Sequence, residues 1–137
     1  VSWYNYVSSR PSNPKYQLTR GSSLEAIVRD DPPVVLTNFM TSLIAGIRPR
    51  SRDDEQTLER AKRNLASFAF VSTQENIAQD VPKLEERVGV RGLALGEFNK
   101  TEARRIDDSA ADAILEINQL DRELYTFAQS LRGDAVA

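Results

Sequence analysis

Apolar positions recur with helical spacing along most of this chain. Val1, Tyr4 and Val7 repeat every three residues and predict a short helix over 1–9. Pro11, Asn13, Pro14 and Gly21 mark residues 10–21 as a loop. A short helix follows Ser22 and ends before "DDPP" (30–33), and "VVLTNFMTSLIAG" predicts an apolar helix over 34–46, stopped at Gly46. After the loop "IRPRSR" a third helix carries Leu58, Ala61 and Leu65 as its buried stripe. "FAFVS" (68–72) breaks this rhythm: it is a compact apolar run between polar residues, and its length predicts a buried strand. A helix beginning after Ser72 must kink or restart at Pro82, because proline removes a backbone donor. Gly89, Gly92 and Gly96 make 89–108 a loop. The last helix, 109–132, has Ile114, Ile117, Leu120, Leu124, Phe127 and Leu131 on one stripe and ends at Arg132 and Gly133.

Four of these starts share one spacing, a Ser followed three residues later by an acid: Ser22 with Glu25, Ser51 with Asp54, Ser72 with Glu75, and Ser109 with Asp112. In such a pair the hydroxyl accepts from a first-turn N–H while the acid reaches back to the N–H of the cap. The spacing of Ile117, Leu124 and Leu131 by seven would suit a dimer seam, but the run is short, and interleaved Ala and Tyr argue for packing inside the molecule.

The resulting expectation is five or six helices and one clear strand. A lone strand needs sheet partners. The absent initiator Met and the aromatic opening "VSWYNYV" point the same way, so the sequence is expected to be part of a larger α/β protein.

Composition narrows the chemistry. The 137 residues suit one domain or a portion of one, and the 18 basic and 20 acidic residues leave a net charge of −2, which does not call for a nucleic-acid partner. There is no Cys and no His, which excludes a disulfide, a thiolate nucleophile, a Cys/His zinc site and a histidine base within these residues. No apolar run is long enough to span a bilayer, so no membrane contact is expected here.

The order of motifs resembles the C-terminal part of a sulfotransferase, of the carbohydrate type that includes heparan sulfate 2-O-sulfotransferase and bacterial relatives. "VSWYNYVSSRPSNPKY" is similar to the segment immediately after that family's Arg-Asp-Pro stretch. "LTNFMTSLIAG" (36–46) resembles its Asn-Leu-Gln-Thr-Arg…Ala-Gly helix. "LERAKRNLASFAFVSTQENI" (58–77) resembles its Ala-Lys-x-Asn-Leu helix, the strand after it and a Val-Gly-x-x-Glu turn. "FNKT" (98–101) falls at an Asn-x-Ser/Thr loop, and "INQLDRELYTFAQSL" (117–131) resembles the terminal helix. Ser42 departs from the family's Arg, and Ser72 from its Gly.

The resemblance implies an α/β fold: residues 1–137 would be the mostly helical C-terminal portion of a P-loop-like, parallel-sheet sulfotransferase domain whose nucleotide-binding portion is absent. The co-substrate would be 3′-phosphoadenosine 5′-phosphosulfate, without a metal, and the acceptor a carbohydrate or small molecule. The phosphosulfate loop and the base would lie upstream, so no catalytic residue is assigned and the isolated chain is expected to be inactive. By the same resemblance Ser2 would donate to the 3′-phosphate beside an Arg about eight residues earlier; the alternative is that Ser2 is only an early helix residue. Lys100, Thr101 and Arg104, with Arg105 as substitute, would close over the nucleotide, unless they form an ordinary surface loop.

Two readings of the residues stand apart from the resemblance. Arg48, Arg50 and Arg52 would offer guanidinium groups to an anionic acceptor, or simply pair with the acids of "DDE". "NKT" is also a glycosylation sequon, of consequence only in a secreted eukaryotic protein. A bacterial cytoplasmic location is favoured, with the Golgi lumen expected for a eukaryotic relative. The competing function is a non-enzymatic helical module that binds a partner through apolar faces, and "FAFVS" as a buried strand would argue against it.

Overall fold

Three helices of this protein begin where a side chain satisfies a first-turn N–H, and the capping residues are not the serines that the spacing singled out. The computed structural model describes residues 2–51, 53–96 and 106–134, with side chains described from Tyr4 to Arg132 among them. Eight helices occur among the described residues: α1 (Ser2–Ser8), α2 (Tyr16–Thr19), α3 (Leu24–Asp30), α4 (Phe39–Ala45), α5 (Glu55–Ala66), α6 (Ile77–Val88), α7 (Asp108–Ile117) and α8 (Gln119–Asp134). A 3-10 turn at Val34–Leu36 precedes α4.

Ser23 rather than Ser22 caps α3, accepting from the Ala26 N–H. Asp54 caps α5 through the Thr57 N–H, and Asp107 caps α7 through the Ala110 N–H. Helix α6 starts at Ile77, and Asn76 before it makes no side-chain cap bond. An Asp accepts from these N–H groups as well as Ser does and adds a negative charge at the positive end of the helix. Pro82 lies within α6 and does not divide it. Gly89 closes that helix with a left-handed φ of 69°, a conformation that costs glycine nothing sterically.

The expected α/β class is corrected: no strand is present among the described residues. "FAFVS" leaves α5 through a turn in which the Ser67 N–H donates to the carbonyls of Asn64 and Leu65, and the Phe68 N–H to that of Leu65. Phe68 is 52 % exposed, whereas Val71 packs onto a helical core. Apolarity and length are compatible with a strand, but a strand exists only by pairing its backbone with another, and no ladder forms here.

The chain divides into two units, residues 1–39 with 98–119 and residues 40–97 with 120–137. In the first unit α3 packs on α7. Leu24 and Val28 meet Ala110, Ala113 and Ile117, with Tyr4, Leu36, Ile106 and Ile114 around them. In the second unit Leu58, Ala61 and Leu65 of α5 pack with Leu120 and Leu124 of α8 and Ala45 of α4.

The single helix expected over 109–132 is two. Asn118 stands between α7 and α8 with φ −121° and ψ 34°, outside helical values. Its amide replaces the interrupted helical bonding: Nδ2 donates to the Leu36 carbonyl at 2.8 Å and the Ile114 carbonyl at 2.9 Å, while Oδ1 accepts from the Asn38 N–H at 2.8 Å. Ile117 belongs to the first core and Leu120 to the second, so one periodic stripe serves two cores. Likewise 34–46 is not one helix. It breaks at Thr37 and Asn38, where Asn38 is buried with φ +43°, a region Asn tolerates better than most residues.

Candidate functional site

The polar side chains with the strongest geometry tie helices together. In the second unit the Asp121 carboxylate accepts from the N–H of Met40 at 3.1 Å, the N–H of Thr41 at 2.7 Å and the Thr41 hydroxyl at 2.7 Å. It thus serves the start of α4 as a capping residue would, from a position 80 residues away from Thr41. Asn64 on α5 donates to the carbonyl of Ile44 at 2.8 Å and so satisfies an acceptor near the other end of α4. The Tyr125 hydroxyl donates to Glu75 at 2.7 Å.

Among the described residues Asp80 forms a well-enclosed ionic contact. It is 3 % exposed. Arg132 grips it with a two-pronged fork, Nε to Oδ2 at 2.7 Å and Nη2 to Oδ1 at 3.2 Å, and the Ser72 hydroxyl donates to Oδ2 at 2.7 Å. The Arg132 and Ser72 hydrogen bonds hold the Asp80 carboxyl down at about 2, against 3.8 for an ordinary aspartate. This also accounts for Ser72. Its hydroxyl does not start a helix; it fixes the segment before α6 to a carboxylate within that helix.

The same direction holds for the other perturbed carboxyls. Glu25 is lowered by Arg29 and then by the Ser109 hydroxyl, which donates to it at 2.9 Å. Asp54 is lowered by the backbone N–H groups of Arg50 and Thr57. Glu75 is lowered mainly by the Tyr125 hydroxyl. A carboxylate stabilised as its anion is a poor proton acceptor, so these four groups are suited to holding structure rather than to general-base work.

Two of the arginines are likewise engaged in structural contacts. Arg132 is committed to Asp80, and Arg10 lies over the Tyr6 ring at 3.8 Å from its centroid while donating to the Tyr6 carbonyl. Arg48 and Arg50 are exposed, and the Arg50 backbone N–H donates to Asp54. Arg52 lies outside the described residues. Among the described residues no group of three or more acidic side chains is placed to hold a metal ion, and no helix is long and apolar enough to cross a membrane.

Ser2 is the first residue of α1, but its side chain lies outside the described set. Lys100, Thr101, Arg104 and Arg105 also lie outside the described residues, as does the "NKT" sequon. The expected nucleotide contacts therefore all lie outside the described side chains. Spacing missed Asn118, Asp121 and Asp80, whose partners are remote in sequence. The only signal for them was a polar residue next to an apolar stripe. No protein-family model, curated protein or solved structure matches the chain.

Proposed function

We propose that this chain is part of a sulfotransferase that transfers a sulfuryl group from 3′-phosphoadenosine 5′-phosphosulfate to a hydroxyl or amine of a carbohydrate-like acceptor. The observation that carries the reading is the run of five motif-like stretches in the family's order between residues 1 and 131. The polar residues of those stretches also find partners, as they would in any packed helical fold. Asp121 of "NQLDREL" holds Met40 and Thr41 of "NFMTSL", Asn64 of "AKRNL" holds Ile44 of "SLIAG", and Tyr125 of "ELYTF" holds Glu75 of "VSTQEN". Residues that carry the resemblance thus bond to one another across long sequence separations.

In this reading the chain supplies nucleotide contacts through Ser2, Lys100, Thr101 and Arg104 and no proton-transfer group. Sulfuryl transfer needs positioning of the donor, stabilisation of charge on the leaving phosphate and a base for the acceptor proton. The Ser2 hydroxyl serves the first need by holding the 3′-phosphate of the donor, and the ammonium of Lys100 and guanidinium of Arg104 close over the nucleotide through charge-assisted hydrogen bonds to phosphate.

The second reading, a helical module that binds a protein partner, is favoured by one finding. The stretch expected as a strand is not one, so that argument against a helical adaptor is gone.

The two readings differ in their response to nucleotide. We expect that titrating the 15N-labelled chain with adenosine 3′,5′-bisphosphate shifts the amide signals of Ser2 and of residues 100–104, with weak affinity. We also expect no turnover of the phosphosulfate donor. A spectrum indifferent to nucleotide at millimolar concentration would remove the cofactor contacts and leave the helical module as the account. Donor turnover by the chain itself would overturn the assignment of the reactive groups outside it.

A further inference from the structure

We draw no further inference here: the strongest candidate, the exposed apolar patch of Met40, Leu43 and Ile47 along α4 and the turn after it, carries nothing because nothing in the structure shows what covers it.

Discussion

A carboxylate surrounded by donors is a stability element with a defined pH range. The Asp80 carboxyl lies at about 2 in the folded chain, below its ordinary 3.8. A depressed carboxylate contributes stability that is present above its unfolded value and is lost as pH falls towards its folded value. Asp80→Asn should therefore lower the urea midpoint at pH 7, where Arg132 loses its anion. The gap to the parent chain should narrow as pH drops from about 4 to about 2. A gap of constant size over that range would show that the Arg132 contact contributes nothing to stability. Asn118 gives a test independent of pH. Asn118→Asp keeps the acceptor for Asn38 but removes both donated bonds, leaving the Leu36 and Ile114 carbonyls facing a carboxylate. We expect a loss of about 1–3 kcal/mol in unfolding free energy at pH 7, read by urea denaturation.

At the scale of the element, α4 depends on a remote partner. Its sequence, FMTSLIA, offers no acid in the first turn, and the Asp121 carboxylate takes the N–H groups of Met40 and Thr41 instead. Asp121→Ala should cost roughly 0.5–2 kcal/mol, as loss of a helix cap does. Hydrogen exchange should accelerate at the Met40 and Thr41 amides while α5 keeps its protection. Uniform acceleration across α4 and α5 would mean that Asp121 supports the whole core rather than one helix end. Several helices were legible in the sequence, whereas α2 lies in the stretch 10–21 expected as a loop. The stripe Leu58, Ala61, Leu65 is buried as its spacing requires, and the expected helices over 1–9 and after Ser22 are present. Starts were less legible because Ser and Asp compete for the same N–H groups. Ser23, Asp54 and Asp107 each stand within three residues of the serine that the pattern favoured.

At the scale of the whole molecule, each unit relies on a small core. Leu65 is buried among Leu58, Ala61, Leu120 and Leu124, so Leu65→Ala removes three carbons from a packed site. A loss of about 2–5 kcal/mol is expected, measured by urea denaturation. A loss under about 1 kcal/mol would mean that the site collapses around the smaller side chain. The fold class expected from the sequence is overturned by the helical structure, while the candidate site lies outside what the structure describes. Its expected members were carried by resemblance alone, and the side chains of Ser2, Lys100, Thr101 and Arg104 fall outside the described residues. The polar contacts that the structure does contain involve groups whose sequence context, such as Asp121 beside Leu120, looks like any solvated helix position.

By itself the sequence determined that most of the described chain is helical and which apolar stripe of α5 is buried, but not every helix or every break. Helical hydrogen bonds join residues four apart, so periodicity, caps and glycine stops are local information. Tertiary structure alone decided three things: that "FAFVS" forms no strand, that the stripe from Ile114 to Leu131 divides at Asn118 between two cores, and that Asp121 starts a helix 80 residues behind it. Each depends on a partner distant along the chain, and a local pattern can show that a group needs a partner without showing which one it finds.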